Sequence, residues 1–213
     1  MEHVGLVFVG VILLLNGLSA AGMISGRSTI PLNFLVGLIQ LVLPTVVLIQ
    51  AAGNIDLIAA AWPSYLFGIT YLWVCYSLLT GVEETGFGWY CLFVAGIALY
   101  QVVRLLAFDP LFSVIWLCWA VAWFLLFWKL ALGRESFAGR DTTRFTGWFL
   151  ILTGIPSSTV PALLLMGGIW PTSGSAALVG LVLLLLAGVV AARLARRTPL
   201  LDQPPTPLLP STS

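Results

Sequence analysis

Seven apolar runs, at roughly 4–24, 30–50, 62–80, 89–107, 111–132, 145–169 and 176–194, dominate this chain of 213 residues. A helix that crosses a bilayer needs ~17–25 such residues, so each run is long enough to span. Turn chemistry marks most of the breaks: SGRS at 25–28, AGNID at 52–56, GVEETGFG at 81–88, FDP at 108–110 and GRESFAGRD at 133–141. Only 8% of residues are charged and mean hydropathy is +1.07, whereas a soluble domain carries about a quarter of its residues as charges. The solvent of this chain is therefore largely lipid. In hydrocarbon every backbone polar group must be paired within its own segment, which leaves an all-α membrane protein as the expected fold class.

Composition removes several functions. A net charge of +1 and the lack of a basic cluster interleaved with aromatics argue against nucleic-acid binding. His3 is the one histidine, and Cys75, Cys91 and Cys118 sit singly inside apolar runs. They read as small core residues, so neither a metal site nor any other cofactor is expected. Without a histidine in the spans, no Ser–His or Cys–His nucleophile can be assembled, and an enzyme is not expected. The Glu83–Glu84 pair reads as a solvated loop pair.

The first run lacks a positive leader, since Glu2 is acidic and Arg27 follows the run, so it reads as a retained span. Placing the N-terminus outside puts Arg27, Lys129, Arg134, Arg140, Arg144, Arg193, Arg196 and Arg197 on the cytoplasmic side and Arg104 alone outside. Seven spans then leave the C-terminus cytoplasmic. The seventh run contains no lysine, which excludes a retinal Schiff base, and its basic end reads as a peripheral anchor. The Pro- and Ser-rich tail at 198–213 is expected to be disordered.

Polar residues within the spans are few: Asn16, Asn33, Gln40, Thr70, Tyr71, Gln101, Thr153 and the Ser157–Ser158–Thr159 run. They can hydrogen-bond one helix to another or line a path. Pro44, Pro156 and Pro161 should kink their spans and free backbone carbonyls. No Asp, Glu, His or Lys falls in mid-span, so there is no carboxylate relay for ion coupling and no charged ion filter. This disfavours a proton-coupled carrier; a conduit for a neutral solute fits, and so does a hydrophobic scaffold. In IWLCWAVAW, Trp116, Trp119 and Trp123 share one helical face, extended by Phe112 and Phe127. Such a stripe can pack a neighbouring helix or wall a slot.

Taken in order, VGLVFVGVILLLNGL in the first run, NFLVG from Asn33, LFGITYL from Leu66, WYCLFVA from Trp89, IWLCWAVAW and FTGWFLIL from Phe145 resemble the AmiS/UreI family of urea and short-chain amide channels. The resemblance covers about residues 4–170. It implies a six-helix channel core (1–170) in a homo-hexameric ring in the bacterial cytoplasmic (inner) membrane, passing urea or short-chain amides to an amidase or urease. An extra transmembrane helix (171–197) lies outside the resemblance. By motif, Trp119 and Trp123 would form an aromatic slot supported by Trp116. Phe67, Thr70 and Tyr71 would line it from the third span, and Val9, Leu13 and Asn16 from the first. Planar amides would pass edgewise between indole faces, exchanging hydrogen bonds with indole N–H and Tyr O–H groups.

Two pore positions depart from the urea-type pattern: Thr153 replaces a glutamate, and Ala122 replaces a leucine between the last two tryptophans, widening the constriction. Acid-gated relatives carry several histidines and carboxylates in outer loops, where this chain offers only His3, Glu2, Asp56 and Asp109. The expectation is an ungated pore for urea and short aliphatic amides. The alternative is a non-transporting membrane scaffold or assembly subunit.

Overall fold

The computed structural model describes residues 2–196 and is almost wholly helical. The helices are α1 (Glu2–Ala20), α2 (Ile30–Gln50), α3 (Ile55–Ala61), α4 (Ser64–Thr80), α5 (Thr85–Leu105), α6 (Pro110–Leu130), α7 (Thr142–Gly154), α8 (Val160–Met166) and α9 (Gly174–Leu194). A short 3-10 turn (Gly26–Thr29) leads into α2, and a two-stranded hairpin, β1 (Ser136–Phe137) with β2 (Arg140–Asp141), joins α6 to α7. Among the described residues seven segments are long and apolar enough to cross a membrane. The expected tail at 198–213 lies outside the described residues.

Helix starts follow from capping chemistry. Asn54 accepts from the backbone N–H of Asp56 and Leu57 and opens α3. Asp109 accepts from Phe112 N at 2.9 Å, with Pro110 at the first helical position of α6. Asp141 and Ser173 cap α7 and α9 in the same way. These caps shift several boundaries from the sequence reading. The third span begins at Ile55 and bends at Trp62–Pro63, and the 81–88 break shrinks because α5 is already helical at Thr85.

The spans are held where glycine lets backbones touch, as expected where lipid gives no hydrophobic drive for helix association. A Cβ on Gly17 would lie 2.8 Å from the Gly147 carbonyl oxygen, and one on Gly147 would lie 2.6 Å from Ala21 N, so α1 and α7 cross in direct backbone contact. A Cβ on Gly88 would lie 2.4 Å from Ala131 N, so this glycine closes the α5–α6 pair. Gly37 and Gly68 do the same for α2 and α4.

The prolines behave differently from one another. α2 runs unbroken through Pro44. Around Pro156 the sixth span instead widens into a π turn, Ile155–Thr159, between α7 and α8. The wider turn absorbs the missing N–H and the ring without breaking the span, which continues to Met166.

Candidate functional site

The α6 stripe meets α4 in the centre of the bundle. Phe67 reaches the stripe with its ring centroid 4.9 Å from that of Trp119 at 84° and 4.8 Å from that of Trp123 at 58°. Trp119 also meets Trp116 at 4.9 Å and 82°, and Phe112 at 6.0 Å and 88°. Edge-to-face contacts suit the ring quadrupoles and each adds about 0.5–1.5 kcal/mol. Trp116 and Phe112 meet Trp119 nearly at right angles, and Phe67 is in ring contact with both Trp119 and Trp123.

Hydrogen bonds pin the same rings. Trp119 Nε1 donates to Ser157 Oγ at 3.1 Å, and Trp123 Nε1 donates to Thr70 Oγ1 at 3.3 Å. Thr70 Oγ1 in turn donates to the Leu66 carbonyl at 2.7 Å. Both indole N–H groups expected to serve a passing solute are thus already engaged with protein. The Tyr71 hydroxyl is buried with no hydrogen-bond partner among the described residues, as are Trp73 Nε1 and Ser77 Oγ.

Two cavities meet at this cluster. One, about 300 Å³, opens on the side of His3 and is walled by Leu6, Gln40, Gln101, Arg104 and Trp116 among others. The second, about 360 Å³, lies on the Thr146 side, with Leu13, Asn16, Thr70, Tyr71, Ala122 and Trp123 in its wall. Phe67 and Trp119 line both, so two side chains form the partition between them. The second cavity shares Leu78 and Glu84 with a wider opening beside Lys129. The cavities therefore form a series from one end of the bundle to the other.

Nine of the eleven candidate residues fall on this series: Leu13, Asn16, Phe67, Thr70, Tyr71, Trp116, Trp119, Ala122 and Trp123. Val9 is fully buried in the core and lines neither cavity. Thr153 turns its hydroxyl onto the Phe149 carbonyl at 2.7 Å and borders a separate apolar groove against α9. Asn16 does two jobs, since it lines the cavity and exchanges hydrogen bonds of 3.0 and 2.9 Å with Asn33.

Sequence reasoning missed Glu84, assigned there to a solvated loop, because nothing local shows that the α5 start folds over the cavity mouth. Gln40 and Gln101 were visible as polar residues in apolar spans, but their wall position was not. Among the described residues no group of three or more metal-ligating side chains occurs.

A helical bundle with an aromatic partition between two vestibules defines a polytopic membrane protein of the channel type. Residues 1–169 match the profile of the AmiS/UreI family of transporters, and the chain belongs to that family. A protein of Rhodococcus erythropolis named as a transporter, AmiS2, is 47% identical over 200 residues, covering 90% of this chain and 94% of its own. A protein of Mycolicibacterium smegmatis named as an amidate-substrate transporter is 40% identical over the full length of both. The crystal structure of the urea channel of Helicobacter pylori superposes with a TM-score of 0.71 at 27% identity, covering 80% of this chain and all of that one. The family is one of transporters, not enzymes.

Proposed function

We propose that this protein is a passive channel for urea and short-chain aliphatic amides. The observation that carries the reading is the shared partition: two vestibules, with Arg104, Asp109 and Glu84 in their outer walls, meet at the uncharged rings of Phe67 and Trp119. A hydrated ion would have to shed water against ring edges that return nothing to it, whereas a small neutral amide loses little. Thr70 and Tyr71 line the vestibule beyond the partition, and a neutral hydrogen bond there nets ~0.5–1.5 kcal/mol, weak enough to release the solute again. The names of the relatives support urea and amides as permeants.

The His3-side vestibule faces outside in this reading, with Glu84 and Lys129 at the cytoplasmic mouth of the bacterial inner membrane. Residues 1–170 form the channel core and α9 is an added anchor packed on α6 and α7. The assembly in this reading is a homo-hexameric ring, in which the exposed rings of α5, Trp89, Phe93 and Tyr100, meet lipid or neighbouring subunits. The pore supplies a cytoplasmic amidase or urease and is not acid-gated.

Stopped-flow light scattering on proteoliposomes tests this. Urea and acetamide should equilibrate much faster than in empty vesicles, with glycerol excluded and rates flat between about pH 7 and about pH 5, the window in which a histidine gate would titrate. Rates equal to those of empty vesicles, from folded protein, overturn the channel and favour the scaffold. A steep rise on acidification overturns the ungated pore.

A further inference from the structure

The His3-side vestibule holds two glutamines that the partition does not use. Gln40 of α2 is 3% exposed and Gln101 of α5 is 1% exposed, yet both line the cavity wall. A glutamine buried within a membrane span is costly unless its donors and acceptors are served. Gln101 is half served: Arg104 Nε donates to its Oε1 at 2.7 Å, which leaves the amide N–H₂ to point elsewhere. Gln40 has no side-chain hydrogen bond among the described residues.

Further features set Gln40 apart. Its carboxamide lies against Gly5, where a Cβ would come within 2.1 Å of Oε1, so only glycine leaves room for it there. Pro44, four residues on, has no N–H, which deprives the Gln40 carbonyl of its usual helical donor. An unfilled carboxamide and an under-bonded carbonyl thus coincide at one residue of the cavity.

We propose that Gln40 and Gln101 form a reading site for primary amides at the head of the aromatic partition. A carboxamide presents a C=O and an N–H side by side, and a primary amide presents the complementary edge. The molecule already uses this pairing between Asn16 and Asn33, which exchange two hydrogen bonds of 3.0 and 2.9 Å. Gln101, its oxygen held by Arg104, donates N–H to the solute carbonyl. Gln40 completes the pair, accepting from the solute N–H. The solute exchanges its water for these contacts before it meets Phe67 and Trp119. The inference rests on the channel reading above and names which neutral solutes that channel favours.

Three isomers of one formula separate hydrogen bonding from size: propionamide, N-methylacetamide and N,N-dimethylformamide. Propionamide keeps the paired edge. The methyl of trans N-methylacetamide occupies the position beside the oxygen and destroys it, and dimethylformamide has no N–H at all. Flux into proteoliposomes, corrected for empty vesicles, should fall in that order, by about three- to tenfold from first to second. In the Gln40→Met protein, and separately in Gln101→Met, the propionamide preference should collapse toward unity while glycerol stays excluded.

Equal flux of the three isomers through the wild-type protein, or a preference that survives both substitutions, overturns this proposal and leaves the channel intact. No amide flux in the wild type overturns both. Should one variant fail to fold by circular dichroism, the other variant and the wild-type isomer order decide.

Discussion

α6 and α9 are both 21-residue apolar helices, and hydropathy alone cannot rank them. Half of the spanning stretch of α6 is buried and only 11% of that of α9. The difference lies in shape. α6 mixes large rings with Ser113, Cys118 and Ala120, so its surface has ridges and hollows that neighbours can fill. α9 is mostly Leu, Val and Ala, and it touches the bundle through small residues such as Ala177 and Ala191. Apolarity carries a helix into the bilayer. Variety of side-chain shape decides whether it becomes a core element, because dispersion contacts against a partner must exceed those that lipid offers equally.

Substitutions can break or sharpen that contrast. The largest effect is expected from Gly88→Val, where even a Cβ would meet Ala131 N at 2.4 Å on the helix end that pairs α5 with α6. No monodisperse protein should survive size-exclusion chromatography in detergent. Trp119→Ala removes a wall common to both cavities, so glycerol exclusion should be lost, with glycerol flux up by about tenfold or more while the protein still folds. Ser157→Ala leaves a buried indole N–H without its acceptor, a cost of about 1–3 kcal/mol that a lowered Tm in detergent would register, with smaller loss of selectivity. Gly188→Ala on α9 meets nothing within 4 Å and should leave Tm and flux unchanged, within about 0.5 kcal/mol. A large effect at Gly188 would show that α9 is covered by another subunit.

Reading the same helices from sequence succeeded where the information is local. The run lengths placed the spans, and breaks such as AGNID and FDP contain the residues that cap α3 and α6, Asn54 and Asp109. Reading failed where two distant segments decide the outcome. Glu84 looks like a loop carboxylate until α5 folds it over the inner cavity. The tryptophan stripe is visible in sequence, but the ring contacts that Phe67 of α4 makes with Trp119 and Trp123 depend on how two distant helices meet. The N–H groups of those indoles are consumed by Thr70 and Ser157, which lie 53 and 38 residues away in the chain.

The sequence by itself determined that this protein dissolves in lipid through seven apolar spans with no Asp, Glu, His or Lys at mid-span, because transfer free energy depends on composition and run length. Its ordered motifs also determined the family. Tertiary structure decided which polar side chains are consumed and which remain open. Asn16 and Asn33 satisfy each other, while the Gln40 carboxamide is left in the wall of a cavity. The physical reason is that a hydrogen bond needs its partner within about 3 Å in a fixed direction. That condition is met or missed only after the helices have crossed at their glycines.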